Sequence, residues 1–507
     1  MFSRLKHTLK STIIYSIGNI SLKLIGLIML PIYTDHLVVE EYGKWALLEV
    51  TSQVLVILIG VRLSISMIRH FSAEDNPEKK RVILFTSLIL SLISIGIFNA
   101  LLHPVAGNIS NLYFDSSGFS RYIHLLIIWS SLEVLNRLTL DFIRIIQKPV
   151  LFILATVVRF VTVLSLIIYF VAVRGMGIEG ILLGQLSGSV LLFVFTIPYL
   201  IRRMKVSLDF VVIRQLVHYG FPLIFSSLSL FLLTMGDRYL IKVLLEYERL
   251  GIYAMSYKIS SVIKLTLIQA FQLGFIPIVF NMFDKMDIRR FVSKVFTYYS
   301  FILIFASLAL SVFSKEIIYT FARDPKYYES FIYIPFMLLA FCFQGQQYVF
   351  TIGLHYVKKV HFLVWITLIS ALLNLGLNWF LLPRIGLYGS VIAVNVSSLL
   401  MAWLTYSTAR RFYAIPYEMK KVLLLFVAGI SLFFLTSLIP DFHLAIRIGL
   451  KLLIIALFPF ILYLFKFYES VELQRISQIW NIWRNPAKWK KNVKRLMDEG
   501  LGDDMNL

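Results

Sequence analysis

Four basic side chains stand inside long apolar runs, where a charge has no solvation of its own. Lys23 shares a helical face with Tyr15, Asn19 and Gly26, at spacings of four, four and three. Arg159 falls in Thr156, Arg159, Thr162 and Ser165, a stripe repeating every three residues, with nothing nearby in sequence to neutralise it. Lys258 and Lys264 lie in one arc with Tyr257, Ser261 and Gln272. A Lys or Arg at the centre of a membrane helix costs about 2.5–3.5 kcal/mol on insertion scales, so these groups are expected to face water rather than lipid. Lys23, Arg159, Lys258 and Lys264, with Asn19 beside the first, form the expected cationic cavity. The chemistry open to it is the binding of anionic oxygens, by Lys as a point charge and by Arg as a planar fork. For Lys23 the alternative is a lysine reaching to the interface along its aliphatic stem.

Carboxylates and amides accompany them. Asp237, Glu133 and Glu49, in that order, are the candidate ion-coupling residues. Asp237 is followed by Arg238, so a structural ion pair or gate is its alternative role. Glu49 lies near one end of its run, where a solvated helix terminus is an equal reading. Glu133, Arg137 and Asp141 follow one another at spacings of four, which permits pairs within one helix and points to a structural network. Gln344 and Gln347, and Asn374 and Asn378, make uncharged stripes. These residues are either hydrogen-bond glue between helices or contacts for sugar hydroxyls.

Positioning such residues requires helices that cross a membrane. Hydrophobic residues make up 59% of the chain and its mean hydropathy is +0.80, beyond what an ordinary soluble globule carries. Measured against the roughly 20 apolar residues that span a bilayer, fourteen runs qualify: 11–33, 44–61, 82–102, 122–140, 150–173, 179–201, 215–236, 252–280, 295–313, 331–354, 362–382, 387–409, 422–439 and 448–465. The alternating ten-residue strands of a membrane barrel are absent. The net charge of +21 resides mostly between these runs, which reflects topology and not a nucleic-acid partner. One set of connecting segments holds 33 lysines and arginines and the opposite set 10, so both termini are expected in the cytoplasm. The basic start followed by the run 11–33 is too long for a signal peptide and reads as a retained first helix. The single Cys342 excludes an intrachain disulfide.

Two landmarks recur along the chain. Gly43-Lys44-Trp45-Ala46 is matched by Gly251-Ile252-Tyr253-Ala254, 208 residues on, and Gly177-Ile178-Glu179-Gly180 by Gly386-Leu387-Tyr388-Gly389, 209 residues on. Six spans separate the copies, so the repeats enter from the same side and are parallel, related by an axis along the membrane normal. The expected fold is an all-α integral membrane protein of about fourteen transmembrane helices, two parallel six-helix repeats plus two extra C-terminal helices. Its parts are an N-terminal lobe at 1–206, a C-terminal lobe at 207–412, two further spans within 413–466 and a basic amphipathic tail at 467–507. In the tail, Trp480, Trp483 and Trp489 with Lys490, Lys491, Lys494 and Arg495 suit an anionic membrane surface; a partly disordered basic tail is the alternative.

The stretches IGNISLKLIGLIMLPIYT and EEYG, GVRLSISMIRHF, GMGIEGILLGQLSG, GDRYLI with GIYAMSYKIS, and IGLYGSVIAV, taken in that order between residue 11 and about 410, resemble the polysaccharide transporter, or O-antigen flippase-like, branch of the multidrug/oligosaccharidyl-lipid/polysaccharide exporter superfamily. The resemblance implies a flippase that moves a polyprenyl-diphosphate-linked oligosaccharide, such as an O-antigen, capsule or exopolysaccharide repeat unit, from the inner to the outer leaflet of the bacterial cytoplasmic membrane by alternating access. It implies no cofactor, a proton or sodium gradient as driving force, and as partners the lipid-linked substrate, the bilayer and polysaccharide-assembly proteins. Asp237 matches the family-like aspartate of GDRYLI. A small-molecule or multidrug exporter of the same superfamily is the alternative, and a membrane glycan polymerase a more distant one, because the segments between spans are too short for a catalytic domain. No phosphate-cradling G-x-x-x-x-G-K-[ST] stretch occurs and the nine histidines lack metal-ligand spacing, so the chain is expected not to be an enzyme.

Overall fold

Within hydrocarbon, each backbone amide must find its partner inside the segment, and a long apolar run does so as a helix. The computed structural model of the chain describes residues 26–114, 117–280, 282, 288–440, 443–470 and 473–474. Among these residues thirteen helices are long and apolar enough to span a bilayer, and no strand occurs. The run 11–33 lies largely outside the described residues, and with it the fold has about fourteen spans. The protein is an all-α, multi-pass membrane protein.

The chain divides into two compact units, the first ending at Tyr417 and the second beginning at Glu418. In the first repeat of the larger unit, α1 (Leu30–His36) ends the first run. It is followed by α2 (Val39–Gly60), α3 (Leu63–Ala73), α4 (Pro77–Leu102), α5 (Ala106–Phe114), α6 (Ser120–Ile145), α7 (Pro149–Ile167) and α8 (Gly177–Ile201). The second repeat comprises α9 (Phe210–Met235), α10 (Asp237–Leu244), α11 (Tyr247–Ile263), α12 (Gln269–Phe280), α13 (Ile288–Val312), α14 (Ser314–Phe321), α15 (Ser330–Tyr356), α16 (His361–Ile385) and α17 (Leu387–Phe412). Wide turns of π-helix extend α7 over Ile168–Val173 and join α11 to α12 over Lys264–Ile268. In the smaller unit α18 (Met419–Thr436) and α19 (Leu444–Leu464) each bury one stripe, such as Val422, Leu425 and Leu432, and expose another, such as Leu423, Val427 and Phe434. Such an apolar outer face suits lipid.

Helix starts follow the local chemistry. Asn76 caps α4 by accepting a hydrogen bond from Glu78 N at 2.9 Å, with Pro77 at the first helical position. Asp209 does the same for α9 through Val211 N at 2.8 Å. Gly177 and Gly386, at the heads of α8 and α17, have φ of +53° and +58°, a backbone region that favours glycine. Short helices α3, α5, α10 and α14 occupy segments that the sequence marks only as connections, because hydropathy detects spans and not amphipathic pieces of eight to eleven residues.

The duplication is visible in the coordinates of the elements. Val39 and Tyr247 open α2 and α11, and Ala106 and Ser314 open α5 and α14, each pair 208 residues apart. The two repeats meet where α2 and α11 cross. A Cβ on Gly43 would stand 2.1 Å from Tyr247 O, and one on Gly251 would stand 2.2 Å from Val39 O. Only glycine lets these two helices approach so closely. Around the crossing, Thr34 Oγ1 donates to Phe321 O at 2.6 Å, Tyr327 OH donates to Leu37 O at 3.2 Å, and Tyr247 OH donates to Tyr113 O. At the other end of α2 the repeats touch again, through Ser66 Oγ donating to Leu216 O at 2.9 Å.

A polar cavity between the two repeats

Beneath the glycine crossing lies a cavity of about 520 Å³, lined by both repeats. Tyr33, Tyr42 and Trp45 stand nearest the crossing, with the Tyr42 ring edge-on to Tyr327 at 5.9 Å. Deeper in, α2 contributes Glu49 and Gln53, α6 Glu133 and Arg137, α7 Arg159, α8 Gln185, α10 Arg238, α11 Lys258 and Ser261, the π-helical turn Lys264, and α12 Gln269. Among the described residues, five basic side chains face two carboxylates in this lining. The lumen is therefore polar with a basic surplus, inside a molecule whose outer face is apolar.

Two of the expected cations do not stand free. Arg159 donates to both oxygens of Glu133, from Nη2 to Oε1 at 2.5 Å and from Nη1 to Oε2 at 3.2 Å. Glu133 also accepts from Ser189 Oγ at 2.6 Å and from Trp129 Nε1 at 3.3 Å. Lys258 Nζ donates to the two oxygens of Glu49 at 2.9 and 3.1 Å, an ion pair that joins one repeat to the other. Nothing near them in sequence offers Arg159 or Lys258 a partner, yet each is held by a carboxylate from a different helix, which sequence spacing does not register. Lys264 differs, for its partners are the Tyr257 hydroxyl and the Phe341 ring at 5.6 Å, and no carboxylate lies within ion-pair distance among the described residues. Lys23 and Asn19 lie outside the described residues, although Gly26, on the same periodic face, lines the cavity.

The expected network along α6 is also different. Glu133 turns to Arg159, and Asp141 pairs with Arg144 at 3.1 Å, so Arg137 between them takes neither. Arg137 is exposed to the lumen. Asp237, first among the candidate coupling residues, is 2% exposed and fully engaged. It accepts from Tyr253 OH and from Arg238 N, and pairs with Arg238 Nη1 at 3.3 Å, while that guanidinium lies over the Tyr257 ring at 4.2 Å. It stands beside a separate, water-sized void with Thr234, Tyr253 and Gln344, not on the central cavity. Of the three carboxylates, Glu49 is the most accessible, with 36% of its side chain exposed.

The uncharged stripes lie in helix seams. Gln344 Nε2 donates to Ser398 Oγ at 3.0 Å and Gln347 Nε2 to Thr405 Oγ1 at 3.3 Å, between α15 and α17. Asn374 Nδ2 donates to Ser397 Oγ at 3.1 Å, between α16 and α17, and Asn378 Nδ2 donates to Asn374 O at 2.9 Å. Asn374, Asn378 and Gln347 are buried and none lines the central cavity; of the two readings of these stripes, their hydrogen bonds supply one, contacts between helices. Conversely Gln53, Arg137 and Arg238 line the cavity without having been singled out as binding residues. Gln53 and Arg137 carried a signal, each standing one helical turn beyond a cavity carboxylate, Glu49 and Glu133.

A family model described as polysaccharide biosynthesis protein matches residues 8–283. No curated protein matches the chain. Among solved structures, the lipid II flippase MurJ in an inward closed conformation superposes with a TM-score of 0.72 at 15% identity, covering 89% of this chain and 99% of that one. An inward-facing multidrug resistance MATE family transporter of the MOP superfamily follows with a TM-score of 0.60 at 15% identity, over 80% of this chain and 96% of that one. MATE in complex with MaD3S gives a TM-score of 0.59 at 16% identity, over 83% and 97%. At such identities the likeness concerns the fold, which is one of membrane transporters.

Proposed function

The chain belongs to the polysaccharide biosynthesis protein family, and from that premise we propose that it is a flippase, carrying a polyprenyl-diphosphate-linked oligosaccharide from the inner to the outer leaflet of a bacterial cytoplasmic membrane. What supports the reading is one juxtaposition: a polar cavity with a basic surplus, lined by two repeats of a transporter fold. Parallel repeats around a midplane site suit alternating access by rocking. A diphosphate needs cations to leave water, and Lys264 stands without a carboxylate to meet it. Lys258 and Arg159 join by exchanging Glu49 and Glu133 for phosphate oxygens, and Lys23 with Asn19 complete the set from the first span.

Such an exchange provides coupling. When phosphate takes Lys258, Glu49 loses its partner, and a proton or sodium ion takes the place of the ammonium group. An ion gradient then drives the return step. Glu49 is better placed for this than Glu133, which has three donors, or Asp237, which lies off the cavity. In this reading both termini are cytoplasmic, no cofactor acts, and neighbouring polysaccharide-assembly proteins hand over and receive the glycan. Small-molecule export, after the MATE structures, is a second reading; the basic surplus argues against cationic compounds in that role.

Proteoliposomes holding a fluorescent polyprenyl-diphosphate glycan test the reading, with outer-leaflet arrival followed by an impermeant quencher. Loss of a charged hydrogen bond to phosphate is worth about 1.5–3 kcal/mol, so Lys264→Ala and Lys258→Ala are expected to slow flipping roughly tenfold or more. Flipping by either variant at the rate of the parent protein would remove the cationic mechanism, and indifference to both proton and sodium gradients would remove the coupling.

A further inference from the structure

The second span ends at Gly60 in a left-handed break. After Gly60 the residues Val61 and Arg62 adopt φ of +44° and +52°, and the chain resumes as α3. Left-handed backbone at two successive non-glycine residues, one of them β-branched, costs of order 1–3 kcal/mol each and persists only where its surroundings hold it. Here α9 holds it, because Gly220 admits Val61 O to a position 2.6 Å from where a Cβ would lie. The break turns Arg62 toward the interior of the bundle, where Nε donates to Ser227 Oγ at 2.6 Å.

There Arg62 meets Arg137. Both line a water-sized void with Ser64, Ser91 and Val134, and Arg137 lines the central cavity as well. Glu133 and Asp141 flank Arg137 on α6, but Arg159 and Arg144 hold them. No carboxylate lies within ion-pair distance of either Arg62 or Arg137 among the described residues. Burial first, and then the Arg137 guanidinium, bring Arg62 down to about 10. Two guanidinium groups beside one small void repel each other, and an anion between them relieves that repulsion. The void admits one water-sized atom, which is the size of a single phosphoryl oxygen, and Arg137 lines both this void and the central cavity.

We propose that Arg62 and Arg137 form a phosphoryl-anion subsite at the break in the second span, distinct from the Lys258 and Lys264 side of the cavity, which takes one phosphate of the substrate as it passes from the α3 end of the molecule into the lumen. The subsite rests on the flippase reading for the identity of its ligand, not for its existence. Planar forks suit it better than ammonium groups, because two guanidiniums clamp one oxygen in fixed geometry while Arg137 retains donors for a second.

The test uses the full chain in nanodiscs, with two probes titrated separately: inorganic pyrophosphate, and a polyprenyl diphosphate in the bilayer. Arg62→Gln and Arg137→Gln are each expected to weaken binding roughly tenfold or more, with partial recovery in Arg62→Lys and Arg137→Lys. Arg410→Gln, which removes an exposed cation at the end of α17, is expected to change neither, setting aside a general charge effect. Weakening of both probes identifies the lipid headgroup as occupant; weakening of pyrophosphate alone identifies a soluble phosphoryl anion and defeats the flippase reading while keeping the subsite. Unaltered binding of both probes in Arg62→Gln and Arg137→Gln, with melting temperatures matching the parent chain, overturns the proposal. If the Gln variants fail to fold, the Lys variants decide alone, since equal affinity in both would also overturn it.

Discussion

The ion pairs lining the cavity determine how much each charge is worth. Arg159 and Glu133 have side chains 10% and 22% exposed and share two hydrogen bonds. Removing one partner strands the other in a poorly solvated place, at about 3 kcal/mol for a largely buried pair, whereas removing both costs far less. Arg159→Ala and Glu133→Ala are therefore expected to lower stability by about 2–4 kcal/mol singly, with the double variant well short of additive. Thermal unfolding of the four proteins in one detergent closes the cycle, and additive losses would show that the two groups are independent. The seam amides belong to a different class. Asn374→Ala loses a neutral hydrogen bond of about 0.6–1.7 kcal/mol and is expected to leave flipping per folded molecule unchanged.

At the scale of elements, the crossing of α2 and α11 is where the repeats are pressed together. A valine at Gly43 would drive its side chain into Tyr247 O and the Gly251 backbone, the former 2.1 Å from the Cβ position and the latter 3.0 Å. Backbone cannot retreat as a flexible side chain would, so the closed contact is overpacked by about 1–3 kcal/mol, a shift of roughly 5- to 150-fold toward the separated arrangement. Cys342, the chain's single cysteine, permits a clean readout: in a Cys342→Ser background, Gln53→Cys reports on the cavity. Gly43→Val is expected to raise labelling of that cysteine by an impermeant maleimide from the side of the 34–43 segment. Labelling no faster than in the glycine parent would mean that the crossing does not close the cavity. The same logic explains why each repeat interrupts its second helix: α2 stops at Gly60, and the π-helical turn ending at Ile268 lies 208 residues on. The π-helical turn brings Lys264 to the central cavity, whereas the break after Gly60 sets Arg62 on the small void beside Ser227.

For the whole molecule, orientation follows from charge. Connecting segments on one side carry 33 basic residues against 10 on the other, and about fourteen spans return the chain to the side on which it began. A C-terminal alkaline phosphatase fusion is accordingly expected to be inactive and a green fluorescent protein fusion bright; the reverse pattern would invert the proposed direction of transport. In the expected orientation the crossing glycines lie toward the outer face and the Arg62 break toward the cytoplasm, the leaflet from which the proposed substrate would enter the proposed subsite.

Period and hydropathy by themselves determined the spans, the parallel duplication and the helical faces, because the cost of unpaired backbone in lipid leaves an apolar run of twenty residues only one conformation to adopt. Gly43 and Gly251 were recognisable as a repeated landmark, though not as a contact. The tertiary structure alone decided the partners of the charges. Arg159 is separated from Glu133 by 26 residues and Lys258 from Glu49 by 209, and no periodicity within one helix encodes a neighbour on another. The same holds for Arg137, flanked in sequence by two carboxylates that both bind elsewhere, and for Arg62, which a left-handed break in an otherwise helical pattern turns inward. Local pattern sets which face of a helix is polar; only packing sets what that face meets.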